Sequence, residues 1–328
     1  MEINIPNIKE ISILSAKLSK YTLRTPIIRC PSLEAKFNFE AEIFAKLEFL
    51  QQTGSFKIRA ALAALRSLSS SKLQNGVVAV SAGNHAIATA YAAKVFGTSA
   101  KVIMTRSANP SRIASCKSHG AKVIIADDIH NAFKIAENLR KREGRFFLHP
   151  FEGSSVALGT GTIGLEICEQ IKDFDSLIVP VGGGGLIGGL SNAIKQINRD
   201  VEIIGVEPTG ADSMHRSFKS GFAERLNGPM NTIADSLGAP YAMPYSFNLT
   251  KKNVNRLILV SDLQLKKAMS LLFHNMKIAV EPACAASTAA LFGPLRKAMQ
   301  GKRVVLFMCG SNIDWPSFYQ NAIFKNVS

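Results

Sequence analysis

Lys57 is the residue whose position in the sequence points most directly to chemistry. It lies in the stretch Thr53-Gly54-Ser55-Phe56-Lys57-Ile58-Arg59-Ala60, and an apolar helical pattern runs from residue 60 to residue 68. This context predicts that Lys57 occupies the first turn of a helix. The positive end of the helix dipole disfavours the ammonium form there, which lowers the lysine pKa and leaves more of the free amine that forms a Schiff base. A surface lysine in a first turn is the plainer interpretation of this stretch alone.

A run of four glycines indicates a second kind of chemistry. Residues 182–185 follow a predicted strand and open a predicted helix. Backbone N–H groups exposed there, together with the helix dipole, form a cradle for a phosphate group. The same stretch satisfies G-x-G-x-x-G through Gly183, Gly185 and Gly188. Glu207 ends the next strand, about 20 residues further on, as in a dinucleotide-binding turn.

A nicotinamide-dependent oxidoreductase is therefore an alternative that these glycines allow. Four consecutive glycines nevertheless exceed what a dinucleotide turn needs, and they favour a loop that surrounds one phosphate from several sides. The dinucleotide interpretation also does not explain Lys57 or the segment Ser81-Ala82-Gly83-Asn84-His85. A tight strand-to-helix turn with no ligand is the third interpretation.

The elements that must position these residues alternate between strand and helix. The predicted helices include residues 8–19, 86–96, 112–119, 129–142 and 161–172. Such alternation is typical of parallel sheets with helical crossovers, and its interruption near residue 149 and again over residues 228–245 indicates two sheets. The predicted fold class is α/β with two domains.

Composition limits the class of protein. The chain has 328 residues, of which 47% are hydrophobic and 19% charged, enough for two packed domains. No apolar run approaches the ~20 residues of a membrane span, and the N-terminus does not have the pattern of a secretion signal. Five scattered cysteines without a CxxC motif indicate neither a zinc site nor a disulfide framework. We expect a cytoplasmic protein that is not a membrane protein.

The net charge of +15 permits nucleic-acid binding, but the basic residues are dispersed and form no run of the length that such patches have. An anionic cofactor and a carboxylate substrate are better uses of this positive field. We therefore expect a small-molecule partner and no nucleic acid.

Together the motifs resemble those of the pyridoxal-phosphate enzymes of the tryptophan-synthase-β superfamily, and within it the serine/threonine dehydratase and serine racemase family. The matching segments are residues 47–59, 81–85, 149–152, 161–163, 180–186, 232–235, 281–282 and 309–312. They follow the family's order over nearly the whole chain. The resemblance implies fold type II, with a mostly parallel twisted sheet flanked by helices in each domain. Residues 1–70 and 152–328 would form a large cofactor-binding domain, and residues 71–151 a small domain carrying the substrate-carboxylate loop.

The resemblance also implies a role for each candidate site residue. Lys57 would be catalytic and would bind pyridoxal 5′-phosphate covalently. The cofactor would be held by Phe56, Lys57, Asn84, Gly182, Gly183, Gly184, Gly185, Leu186 and Cys309. In that set Asn84 would face the 3′ oxygen, residues 182–186 the phosphate and Cys309 the pyridine nitrogen. The substrate carboxylate would be bound by Ser81, Gly83, Asn84 and His85. Without the resemblance, Asn84 and His85 also fit a helix cap, and Cys309 a small buried hydrophobe.

The implied reaction is α,β-elimination of a β-hydroxy amino acid, L-threonine and/or L-serine, to a 2-oxo acid and ammonia. A serine racemase or a β-replacement enzyme is the alternative on the same scaffold. Ala82 stands where serine racemases carry an acid/base serine, and the Cys309 thiol makes the cofactor ring a weaker electron sink than a carboxylate would. Both features favour dehydration. The family also implies a homodimer or homotetramer.

A divalent-ion site found in some relatives is only partly matched. Glu207 and Ala211 agree with that pattern, but Ser213 replaces its second acid. Because a hard cation needs several charged oxygens, no metal is predicted. A second departure, Ala60 after Arg59 where glycine is usual, tightens the helix and casts little doubt on the resemblance.

Overall fold

The computed structural model describes residues 4–322, and in this range two sheets organise the chain. The helices are α1 (Ile8–Leu18), α2 (Pro31–Lys36), α3 (Lys57–Arg66), α4 (Ser70–Gln74), α5 (Asn84–Val95), α6 (Pro110–Ser118), α7 (Ile129–Glu143), α8 (Ser154–Gln170), α9 (Gly185–Ile197), α10 (Ser213–Ser220), α11 (Pro244–Asn253), α12 (Asp262–Met276), α13 (Pro282–Phe292) and α14 (Trp315–Asn321). The strands are β1 (Ile27–Arg29), β2 (Glu42–Leu47), β3 (Val77–Val80), β4 (Ala100–Thr105), β5 (Lys122–Ala126), β6 (Phe146–Phe147), β7 (Ser176–Pro180), β8 (Glu202–Pro208), β9 (Arg256–Val260) and β10 (Arg303–Met308).

The larger sheet has six strands in the order β1-β2-β10-β7-β8-β9. Only the short edge strand β1 runs antiparallel to its neighbour among these strands, and the other pairs are parallel. Every residue of β7 is buried, as expected for a parallel strand covered by helices on both faces.

The smaller sheet has the order β5-β4-β3-β6, and all its pairs are parallel. Its strands lie between Val77 and Phe147, inside the predicted small domain. The predicted fold class, α/β with two mostly parallel sheets, is confirmed. The domain boundaries stay a prediction, and α3 complicates the first of them: its residues Ile58, Leu62 and Leu65 pack in the core of the smaller sheet, on the other side of position 70.

Helix α8 begins at Ser154. The sequence pattern predicted its start seven residues later, at residue 161. Gly159 lowers the helix propensity of the segment that the prediction missed, and Gly161 and Gly164 follow it within the predicted segment. They are needed for close packing: a Cβ at position 159 would lie 2.6 Å from the Arg59 carbonyl oxygen, and one at 164 would lie 2.9 Å from the Cβ of Ala193. The other predicted helices agree with α1, α5, α6 and α7 to within a few residues.

Within residues 4–322, none of the helices is both long enough and apolar enough to cross a membrane.

A buried ion network holds the N-terminal half of α3. Arg59 donates to both oxygens of Glu48, at 2.9 and 2.8 Å, and to both oxygens of Glu166, at 2.7 and 2.9 Å. Lys46 Nζ donates to Glu166 Oε2 at 2.8 Å and to the Thr25 carbonyl at 2.7 Å. Two cations balance two carboxylates, so the network is neutral. It joins β2, α3 and α8.

Burial and ion pairing have opposite effects on the pKa of Glu48. Burial alone raises the pKa of Glu48, but the nearby Arg59 guanidinium and Lys46 ammonium outweigh burial and lower it. Since the folded-state pKa lies below the unfolded one, the stabilisation from Glu48 is present above about pH 4.3 and is lost as the pH falls through the lower, folded value.

We expect Arg59→Met to lower the free energy of unfolding by about 3–5 kcal/mol near neutral pH, because the buried Glu48 loses its hydrogen-bonded cation, while Glu166 keeps only Lys46. The difference from the wild type should shrink in acid, where Glu48 becomes protonated. Urea unfolding of cofactor-free protein measures both effects. Arg24→Met is the matched control, since the Arg24–Glu169 pair is half exposed, and it should cost about 0–1 kcal/mol. Equal losses in the two variants would contradict the role given to the network.

Candidate active site

Lys57 is the first residue of α3, as the sequence predicted. Its Nζ donates to the Pro150 carbonyl at 2.7 Å and lies 5.1 Å from the centre of the Phe56 ring. Burial lowers the pKa of Lys57 to about 8, while nearby Cys309 and Glu281 act in the opposite direction. The residue therefore holds an amine that is easily deprotonated near neutral pH.

The loop before Lys57 is paired with the loop after β10. Ser55 and Gly310 form an antiparallel bridge, and the Phe56 N–H donates to the Cys309 carbonyl at 3.1 Å. Gly54 adopts φ +69°, and a side chain there would collide with Asn312. These contacts place the buried Cys309 beside Lys57, although the two residues are far apart in sequence.

The glycine run forms the turn between β7 and α9. Gly184 is the N-cap of α9 and adopts φ +85°, a left-handed conformation that favours glycine. A Cβ at Gly183 would enter the Phe151 ring, and a Cβ at Gly185 would overlap the Phe151 backbone. The first N–H groups of α9 have no acceptor within the helix, so the turn presents several donors to an anion.

Gly188 does not share this constraint. A Cβ there would lie 3.4 Å from Thr250 Oγ1 and 3.6 Å from Leu249, which are ordinary contacts. In a dinucleotide-binding turn the third glycine allows close packing of helix on strand. Position 188 has room for a side chain, so the glycines required by this turn are those around the first turn of α9.

Asn84 is the first residue of α5 and does not cap it. Gly83 occupies the N-cap position, and Asn84 directs its amide across to the larger sheet. Its Nδ2 donates to Glu281 Oε1 at 2.7 Å, and its Oδ1 accepts from Asn312 Nδ2 at 2.6 Å. The helix-cap interpretation of Asn84 is therefore wrong. Ser81 accepts from the Gly83 N–H at 3.2 Å and shapes the loop.

Two buried imidazoles near the lysine are uncharged at neutral pH. His85 Nε2 is bonded to the Leu148 carbonyl at 2.8 Å, and burial together with the Lys57 charge lowers its pKa to about 3. His149 Nδ1 accepts from the Glu152 N–H at 3.0 Å, and the same two causes lower its pKa to about 4. Neither ring therefore competes with Lys57 as a positive charge.

Most of the predicted residues surround one cavity. Those that line it are Phe56, Lys57, Asn84, Gly182, Gly184, Gly185, Leu186 and Cys309. Gly183 lies behind this wall against Phe151, and His85 is turned toward the Leu148 carbonyl. Gly83 is close to the cavity, because a Cβ there would lie 3.8 Å from Ser236 Oγ, which lines it.

Glu281, Phe151 and Ser236 also line this cavity, and the sequence did not single them out as site residues. Glu281 is the most consequential of them. It is completely buried, and burial raises its pKa to about 7 although Arg112 acts against this shift. Residues 281–282 are among the segments that match the family, but an acid immediately before Pro282 is also typical of an ordinary helix start, so the sequence assigned Glu281 no role in the site.

Glu207 is used to hold the start of α10. Its two oxygens accept the N–H groups of Met214 and His215 at 2.9 and 2.6 Å, and Asp212 is paired with Arg216. Over residues 4–322, no three His, Cys, Asp or Glu side chains are grouped closely enough to hold a metal ion.

Comparisons with known proteins agree with this geometry. A family model described as "Pyridoxal-phosphate dependent enzyme" matches residues 18–310. A phenylserine dehydratase from Ralstonia pickettii is 45% identical over 318 residues, covering 96% of this chain and 95% of that protein. An L-threonine ammonia-lyase from Thermotoga maritima is 41% identical over 274 residues, 83% of this chain and 68% of that protein. The structure of maize serine racemase has a TM-score of 0.90 at 32% identity and covers 96% of each chain.

The residues of the cavity fit a phosphorylated aldehyde such as pyridoxal phosphate. The turn before α9 can keep this conformation only without side chains at Gly183 and Gly185, where a Cβ would collide with Phe151. Lys57 supplies an amine with a lowered pKa, and the buried Glu281 Oε2 has no hydrogen-bond partner within the described residues. The N–H donors of the turn before α9, the nucleophilic Lys57 and the polar Glu281 thus lie around a single cavity.

We expect Gly185→Ala to weaken pyridoxal-phosphate binding strongly, because the added Cβ would push Phe151 and the first turn of α9 apart. Gly188→Ala is the matched control in the same helix and should bind the cofactor like the wild type. Titration of cofactor-free protein, followed by absorbance, measures both affinities. Equal affinities in the two variants would contradict the cradle.

We expect covalent attachment of pyridoxal phosphate to Lys57 to accelerate as the pH rises through about 8. The neutral amine is the nucleophile, and a lowered pKa populates it at a lower pH than the about 10.4 of an ordinary lysine. Borohydride trapping at several pH values, followed by mass spectrometry, gives the rate at this position. Lys57→Ala is the control. A midpoint near that of surface lysines would show that burial does not tune this amine.

Proposed function

Because the chain belongs to the pyridoxal-phosphate dependent enzyme family, we propose that it is a lyase that dehydrates and deaminates a β-hydroxy amino acid. The family resemblance of the sequence motifs is thereby confirmed, and the nicotinamide-dependent alternative is excluded. The products are a 2-oxo acid and ammonia. The observation that carries the proposal is the convergence of Lys57, the glycine turn and the Asn84 loop on one cavity.

Different residues of the cavity would bind different parts of pyridoxal phosphate. In this proposal Lys57 is the attachment point, the N–H groups of residues 182–186 hold the phosphate, and Phe56 and Cys309 bound the ring. Asn84 offers an N–H to the ring oxygen. When bound, pyridoxal phosphate supplies the electron sink that makes the α-proton of an amino acid acidic.

The substrate carboxylate is assigned to the turn between β3 and α5, formed by Ser81, Gly83, Asn84 and His85. The first N–H groups of α5 and the positive end of its dipole favour an anion there. This placement directs the amino group and Cα of the substrate toward Lys57, across the junction of the two sheets.

Lys57 is also the base in this proposal. Its Nζ removes the proton from the substrate Cα, and the β-hydroxyl departs with a proton as water. The resulting enamine becomes an imine, which takes up water and releases ammonia and the 2-oxo acid. A lysine with pKa about 8 can both accept and return a proton near neutral pH.

Elimination is favoured over racemisation by Ala82, which lies in the same turn. Racemisation needs a second acid/base group on the face of the substrate opposite Lys57, and a methyl group has no proton to exchange. Serine racemases are nevertheless among the similar proteins, so the distinction depends on this position and is tested below.

The side chain of the substrate has two candidates. The relatives include an L-threonine ammonia-lyase and a phenylserine dehydratase, and the latter matches almost the full length of both chains. We therefore propose L-threonine and/or L-serine, or a β-hydroxy amino acid with an aryl β-substituent, and the reaction is the same for all of them. The homodimer or homotetramer, the absence of nucleic-acid binding and the cytoplasmic location stay predictions.

We expect the purified holoenzyme to release 2-oxo acid from at least one of L-threonine, L-serine and L-phenylserine. Condensation of the 2-oxo acid with a hydrazine to a coloured hydrazone, or its reduction coupled to oxidation of a nicotinamide nucleotide, measures the product. Lys57→Ala should abolish it. A wild-type protein that contains pyridoxal phosphate but releases no keto acid from any member of the panel would refute the dehydratase assignment.

We expect Ala82→Ser to raise racemisation of serine relative to elimination, because it adds a hydroxyl to the substrate loop. One well-placed acid/base group contributes typically about 10²–10⁴-fold. Chiral chromatography of the remaining serine, together with keto-acid release, gives the ratio, and Ala82→Gly serves as a control without a hydroxyl. If the wild type already racemises as fast as it eliminates, position 82 does not decide between the two reactions.

A further inference from the structure

Four polar residues form a ring of contacts beside the cavity, in which Asn312 takes part through both its side chain and its backbone. The Asn84 side chain bonds to those of Glu281 and Asn312, at 2.7 and 2.6 Å. Arg112 Nε donates to the backbone carbonyl of Asn312 at 3.0 Å, and its Nη2 lies 3.8 Å from Glu281 Oε2. Asn84 and Arg112 belong to α5 and α6 of the smaller sheet, while Glu281 and Asn312 adjoin α13 and β10 of the larger one. All four contacts of the ring therefore cross the junction between the sheets.

The ring determines which way the Asn84 amide faces. A flipped amide would oppose its oxygen to the Glu281 carboxylate and its NH₂ group to that of Asn312, and both contacts would be repulsive. In the observed orientation the second Nδ2 hydrogen has Ser236 Oγ nearby at 3.4 Å, too long for a strong hydrogen bond. Asn84 can therefore donate this hydrogen to a molecule in the cavity.

Arg112 supplies the positive charge of the ring. Its side chain is about nine-tenths buried, and Glu281 is completely buried. Burial favours the protonated form of Glu281, and the adjacent Asp235 adds to this effect, whereas Arg112 opposes it. A protonated Glu281 could donate as well as accept, so the orientation of the Asn84 amide would no longer be unique.

We propose that Arg112 is a positioning residue for the cofactor: through Glu281 and Asn312 it fixes the Asn84 amide with an N–H available to the cavity. The inference rests on the proposed function, because it takes this cavity to be the pyridoxal-phosphate site. Arg112 also pairs with Asp235, whose side chain is about half exposed. If that contact were the important one, Arg112 would only hold the two sheets together at the surface. The experiment below distinguishes this role from positioning of the cofactor.

The test is the affinity of cofactor-free protein for pyridoxal phosphate, measured by the absorbance of the bound cofactor. Arg112→Met should weaken binding by about tenfold, because the buried Glu281 loses its charged partner. Arg112→Lys should restore part of the loss, since it returns a cation without the Nε–H that bonds to Asn312. Arg106→Met, which removes an exposed ion pair between the loops after β4 and β5, should bind like the wild type.

A double-mutant cycle identifies the route of the effect. In a Glu281→Gln background, where no carboxylate needs a partner, Arg112→Met should change the affinity by less than about threefold. Asp235→Asn should change it by less than about twofold, because half-exposed pairs contribute little. A full tenfold loss in the Glu281→Gln background, or an equal loss in Asp235→Asn, would overturn the positioning role.

The outcomes for the inference and for the proposed function can be told apart. A wild-type protein that does not bind pyridoxal phosphate refutes the proposed function. A wild type that binds, with Arg112→Met binding equally well, refutes the inference alone. Urea unfolding of each variant confirms that it is folded before titration. Should Arg112→Met fail this check, Arg112→Gln replaces it with the same expected loss.

Discussion

The buried pairing of Arg59 with Glu48 and Glu166 is the interaction on which the site depends. Lys57 and Arg59 are two residues apart on α3, so their side chains leave the helix in widely different directions. Arg59 is fixed from behind by two carboxylates, and this fixes the face of the helix that carries Lys57. The lysine can then be held in a position of low polarity without its own ion pair, which keeps its pKa low.

Helix α8 connects the anchored helix α3 to the rest of the site. One of its faces carries Glu166 and packs on α3, and another packs closely on α9. The close approach is possible because side chains are absent at Gly159, Gly164 and Gly189, where a Cβ would strike the neighbouring helix. Helix α8 packs between α3 and α9. It thereby brings the glycine turn at the start of α9 close to Lys57 at the start of α3.

The electrostatic character of the cavity follows from burial. Lys57, His85 and His149 all have lowered pKa values, and that of Glu281 is raised to about 7. Low polarity therefore disfavours charge on these four groups near the reaction centre. An anionic cofactor and an anionic substrate would be bound by backbone N–H groups at the starts of α9 and α5, and not by fixed cations.

The sequence alone determined the alternation of strands and helices, the helix start at Lys57 and the glycine turn, because each is encoded in neighbouring residues. It also supplied the family, since the motifs occur together in one order. It missed the first half of α8, whose glycines make sense only against Arg59 and Leu190. It also missed the ring of Asn84, Glu281, Asn312 and Arg112. Those contacts join segments far apart in the chain, and only the packing of the two sheets decides which polar groups meet.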